Sequence, residues 1–172
     1  MSTSLYDLAI GSYTQVVGAT IGVLAKGAEH IAAAGLDAQS ILDKSLHPDM
    51  ANFHFQAVCV AHHSLGAVRG IEAGEFRPPA GYGEMDYAGL QAFLQQTLAD
   101  LEAVDAHAFN QHADGRLVFK LGDNEIPFSN ENFVLSFSLP NLYFHATTAY
   151  DILRAEGVAL GKMNFLGQLK IG

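Results

Sequence analysis

Leu5, Leu8, Ser12, Val16, Ala19, Val23, Gly27 and His30 recur at spacings of three and four, and no proline interrupts them. That is the period of a helix with one inward stripe. It predicts a helix from about Leu5 to Ala34, stopped by Gly35. A short helical turn follows around Ala38 to Asp43. The proline of "HPDM" suits the first turn of a second helix, because its missing N–H costs nothing there. That helix is expected to reach Ala73 and to end at Gly74.

"EFRPPAGYGE", rich in Pro and Gly, reads as a crossover loop. Asp86 caps a third helix to about Val104, carried by Leu90, Phe93, Leu94, Thr97, Leu98 and Leu101. The period then changes. "RLVFKLGDNEIPF" alternates on either side of Gly122, Asp123 and Asn124, the pattern of a small β-hairpin. Ser129 caps a fourth helix to about Glu156, with Gly157 as its stop. Pro140 lies inside it and is expected to kink it, by withholding a hydrogen bond from the carbonyl of Ser136. Four long helices and one long crossover make an all-α four-helix bundle the economical fold, with the hairpin before the last helix. A chain of 172 residues that is 49% apolar is expected to form one domain, 1–172, around one core.

The charge of −9 comes from 9 Lys+Arg against 18 Asp+Glu, and the bases form no cluster that could follow a phosphate backbone. Nucleic acid is excluded as a partner on that ground. The uncharged run from Leu8 to Ala25 is long enough to raise the question of a membrane span. It contains Ser12, Tyr13, Thr14, Gln15 and three glycines, and "MSTSLYD" ahead of it lacks a basic leader segment. It reads as a buried helix of a soluble protein, with no membrane partner. The lone Cys59 excludes an internal disulfide and fits a reducing compartment, so the expected location is the cytoplasm.

The polar residues on the inner faces of the helices carry what the sequence says about chemistry. A 100° projection of the fourth helix puts Val134, Ser138, Asn141, His145, Ala149 and Ile152 in one sector. A histidine there is buried and needs a partner for each nitrogen. On the second helix the stripe is Met50, Phe53, Ala57, Val60, Ser64, Val68 and Ile71, flanked by His63 and Gln56. Cys59 lies one turn before His63, and His62 is expected to point to solvent. His63, Asn141 and His145, with Cys59 as a fourth member, therefore can converge between the two helices. Such a set forms either a metal centre with an open water position or a hydrogen-bonded polar network. The amide of Asn141 is a weak ligand for zinc, nickel or iron. His30, His47, His54, His107 and His112 fall near helix ends or in loops. "GSYTQVVGATIG" has no preceding strand and is not a dinucleotide loop.

Three stretches, "SLYDLAIGSY", "LHPDM" and "LPNLYFHATTAYDILRAEGVALGKMNFLG", together resemble an uncharacterised bacterial family of unknown function within the DinB-like four-helix-bundle superfamily. The likeness covers nearly the whole chain. It implies an up-down-down-up bundle with a long crossover, assembled as a homodimer. In many relatives a helix-two histidine joins a His-x-x-x-His pair on helix four to hold a divalent metal, and some are thiol-dependent S-transferases or isomerases. "AHHSLG" offers His62 or His63 as the first ligand, the projection favouring His63. His145 matches the second member of the pair, and the first falls on Asn141. The resemblance thus implies a metal set of His63, His145 and Asn141 with zinc or nickel, or no metal at all. The matching functions are an uncharacterised protein with a residual pocket for a small molecule, or a metal-dependent thiol S-transferase. The ending "GKMNFLGQLKIG" is expected to pack back on the bundle through Phe165 and Leu166, over one mouth of that pocket.

Overall fold

The computed structural model describes residues 3–171. The first helix, Leu5–Ala34 (α1), begins where the period predicts. The Ser4 hydroxyl accepts the Asp7 N–H at 3.1 Å, and the Asp7 carboxylate accepts the Ser4 N–H at 3.2 Å. This reciprocal box satisfies two N–H groups that no helical turn could reach. Gly35 ends the helix at φ 63°, in the left-handed region. The short helix Ala38–Leu42 (α2) follows, capped by Asp37.

The second long rod starts later than the proline implied. Pro48 lies in a turn closed by His47 and Asp49, and the helix begins at Phe53. Asn52 supplies the reason: its side-chain oxygen accepts the Phe55 N–H at 3.0 Å, a closer cap than the 3.4 Å contact of the Asp49 N–H with His47 Nδ1 ahead of Pro48. The rod runs as Phe53–Ala61 (α3), a π-helical turn at His62–Gly66, and Ala67–Ala73 (α4). Gly74 stops it at φ 72°. The strand Glu75–Phe76 (β1) comes next.

Asp86 caps Tyr87–Glu102 (α5), and Asp105 caps Ala106–Asn110 (α6). Arg116–Leu121 (β2) and Asn124–Ser129 (β3) pair antiparallel around the expected turn, with Gly122 at φ 58°. β1 adds to β2 in parallel, Phe76 opposite Phe119. A two-residue strand carries no alternation, so the crossover reading of "EFRPPAGYGE" missed it. The last rod is Asn130–Phe133 (α7), a second π-helical turn at Val134–Ser138, and Leu139–Ala155 (α8). Pro140 stands near the start of α8, just after this turn. Proline has no N–H to give, and the hydrogen-bond ladder widens just ahead of it. Lys162–Leu166 (α9) then returns to α1.

α1 packs on α5 and α8, while α3 packs on α8 and α5. The buried side chains, among them Tyr13, Leu24, Phe53, Leu90, Phe133 and Leu142, form one cluster between these helices. α1 is long and apolar enough to cross a membrane by length and composition. Its inner face is covered by the other helices. α5 comes close to α1 at Gly27, where the Tyr87 hydroxyl reaches across to the carbonyl of Leu24 at 2.9 Å. A Cβ on Gly27 would collide with that hydroxyl and lie 3.1 Å from Leu153.

Candidate functional site

The two π-helical turns sit beside one another, and the histidines gather there. A turn of this kind inserts a residue and re-aims the side chains after it, which is why such turns are frequent at functional sites. The rings of His63 and His145 stack at 5.4 Å between centroids with 10° between their planes. His62 meets His63 edge-on at 5.1 Å. His63 and His145, which the helical projection places between the two rods, are thus in contact.

His62 departs from expectation. It is buried rather than solvated, against Phe76 at 4.6 Å. The cause is β1 and the segment after it, which fold back over this face. Gly70 permits that approach, since a Cβ there would stand 2.9 Å from the Phe76 ring. His62 Nε2 must donate to the Arg77 carbonyl at 2.9 Å, which leaves Nδ1 to accept the Tyr82 hydroxyl at 3.2 Å. Both of its nitrogens are committed.

The other two rings are not so fully engaged, and His145, expected to be buried, is half-buried because it lies at the edge of the inner face. His145 Nδ1 lies 2.7 Å from the side-chain oxygen of Gln56, so Nδ1 carries the proton and Nε2 the lone pair. Gln56 is buried and is itself held by its amide on the Ala51 carbonyl at 3.0 Å. His63 is 5% exposed, and its Nδ1 has no protein partner. Burial, with His62 and then His145 adding to it, holds His63 down at about 3. Burial and His62 hold His145 at about 4. Both are therefore neutral at pH 7. Phe137, Phe55 and Phe144 surround the pair, with centroids 5.9 Å from His63, 6.2 Å from His145 and 5.3 Å from His145 respectively.

Asn141 is half-buried, and its amide donates to the Phe137 carbonyl at 2.7 Å, one turn back on its own rod. Cys59 is buried, and desolvation pushes its thiol up to about 12. Among the described residues no three His, Cys, Asp or Glu side chains are grouped to hold one ion. His62 has spent both nitrogens, and Asn141, whose Nδ2 is tied to its own rod, has only a neutral amide oxygen to offer. Sequence reasoning named Gln56 only as a neighbour of His63 and did not see it as the partner of His145. The tail does pack back, with Phe165 on Tyr150 at 6.1 Å and the Gln15 amide on the Leu166 carbonyl at 2.9 Å. It rests on α1, however, and does not cover the histidines.

The model of a domain of unknown function, DUF1993, matches residues 5–166. The chain belongs to the DUF1993 family. A comparison with curated proteins finds no match. Among solved structures, the DUF1993 chain is similar to a DinB family member protein from Shewanella denitrificans. The two are 24% identical, the TM-score is 0.81, and the match covers 98% of this chain and 94% of that one. The shared property is the DinB-like fold: mostly helical, here with a small three-stranded sheet.

Proposed function

We propose that the His63–His145 pair, between the second and last rods, is the working site of this DUF1993 protein, the remnant of a metal centre that takes a small molecule. The observation that carries the reading is the buried, unpartnered Nδ1 of His63 beside a His145 whose open nitrogen is set by Gln56. A buried nitrogen without a partner costs free energy, so its retention is best explained by a ligand that meets it. Two neutral imidazoles offer lone pairs to a hydroxyl, thiol or amine donor.

A catalytic zinc centre takes three protein ligands. Here His63 and His145 supply two, and Asn141 stands at the third with its amide given to Phe137. A neutral amide oxygen is a weak ligand for zinc, nickel or iron, so the donor set fits such an ion poorly. The alternative, a thiol S-transferase using zinc or nickel, requires Asn141 to turn inward or the high-pKa Cys59 to join.

The same reading treats the chain as a single domain and a cytoplasmic homodimer, with its four main rods in up-down-down-up order. Support for the order is the packing of α1 on α8 and α3 on α5, with the long segment after Gly74 as the crossover. Support for the dimer is the exposure of the apolar Leu135, Tyr143 and Phe144 on the last rod. Sedimentation of wild type and Phe144→Glu tests it; a wild-type monomer would dismiss the dimer.

The deciding experiment is elemental analysis of tag-free protein after dialysis against zinc or nickel, with His63→Ala and His145→Ala alongside. The expected result is far less than one ion per chain. One ion per chain, lost in both variants, would replace this reading with the S-transferase.

A further inference from the structure

The Ser138 hydroxyl lies 2.7 Å from the carbonyl oxygen of His63 and 2.6 Å from the hydroxyl of Tyr13, and Ser138 and Tyr13 are fully buried. The direction of this relay is fixed. A carbonyl only accepts, so the single Ser138 proton goes to His63, and Tyr13 must donate its own to Ser138. Residues 13, 63 and 138 thereby join α1 to both π-helical turns at one point. His145 follows Ser138 by seven residues, two turns along the same rod, which puts it on the same face. The last rod thus holds His63 twice, by its backbone through Ser138 and by its ring through His145.

We propose that Ser138 and Tyr13 are positioning residues of the histidine pair, setting the rotation of the His62–Gly66 turn and so the stacking of His63 on His145. This rests on the reading of that pair as the site, and adds the residues that control its geometry. Without the Ser138 hydroxyl, the carbonyl of His63 loses its tie to the last rod. The ring is then free to turn away from His145. Tyr13 keeps the Ser138 hydroxyl aimed, because no other group donates to it among the described residues.

The test is long-range proton–nitrogen NMR of the imidazoles of His63 and His145 in Ser138→Ala, Tyr13→Phe and Thr97→Val, the last removing a buried hydroxyl outside the relay. The expected result is a changed titration and tautomer balance for His63 and His145 in the first two variants, larger in Ser138→Ala, and wild-type signals in Thr97→Val. If the relay variants melt earlier but keep wild-type imidazole signals, Tyr13 and Ser138 are merely structural and the proposal is wrong. Should Ser138→Ala fail to fold, Tyr13→Phe decides alone, since it leaves the Ser138 side chain in place. The readout needs no ligand, so its failure is distinct from failure of the binding reading.

Discussion

His145 gives its Nδ1 proton to Gln56 across 2.7 Å, joining residues 89 positions apart and deciding which face of the imidazole remains open. Replacing Gln56 by Ala leaves that half-buried donor without its acceptor, and the expected loss is about 0.5–1.5 kcal/mol, the net worth of one ordinary hydrogen bond. Gln56→Glu puts a carboxylate at the same place and is expected to raise the pKa of His145 above its low wild-type value. Denaturant unfolding of the first and NMR titration of the second check both. Wild-type stability together with an unmoved His145 titration would mean the bond does not exist in solution.

The pH dependence of stability follows from the depressed histidines. His63 at about 3 and His145 at about 4 both lie below the ordinary value of 6.5. The unfolded chain therefore binds more protons than the folded one between about pH 6.5 and about pH 3. These residues cost nothing above about pH 6.5, and stability falls as the pH drops through that window. His63→Phe, lodged among Phe76 and Phe137, is expected to flatten the slope relative to wild type. Parallel slopes for the two proteins would show that His63 is not a buried neutral base.

Asn141 gives a sharper test of the metal inheritance. Its amide serves its own rod, so Asn141→Ala is expected to cost only about 0.5–1.5 kcal/mol, the net worth of one ordinary hydrogen bond, and to leave the signals of both site histidines in place. Asn141→His would restore a His-x-x-x-His spacing with His145. Zinc or nickel binding near one ion per chain is expected in that variant and not in wild type, as read by elemental analysis after dialysis. Equal uptake by the two proteins would refute the idea that position 141 limits the site.

Gly27→Ala tests a close contact of α1 with α5 and α8. The added methyl collides with the Tyr87 hydroxyl and crowds Leu153, so Tyr87 must release the Leu24 carbonyl. The combined overpacking is expected to cost about 1–3 kcal/mol, seen as a lower unfolding midpoint. Alanine's better helix propensity would act in the opposite direction, by only about 1 kcal/mol. A midpoint at or above wild type would mean that α1 and α5 are less tightly packed than described.

The residues themselves announce most of the rods. α1 runs from Leu5 to Ala34 because its apolar period is unbroken and Ser4 and Gly35 bracket it, all of which are local facts of the chain. The hairpin turn at Gly122 and the stop at Gly157 are legible for the same reason, since each needs a positive φ that glycine adopts freely. The pairing of His63 with His145 was also within reach of a helical projection, because His63 directly follows the regular α3 and His145 lies within the regular α8. What the tertiary structure decided lies where that regularity ends. Two π-helical turns shift the phase of the side chains after them, and no periodicity foretells a widened turn. β1 closes over His62 because Gly70 lets Phe76 approach, and Gln56 rather than Asn141 meets His145 because α3 and α8 pack in that register. Sequence specifies local conformation through short-range sterics and caps, whereas a buried polar partner is chosen by elements distant along the chain that pack together.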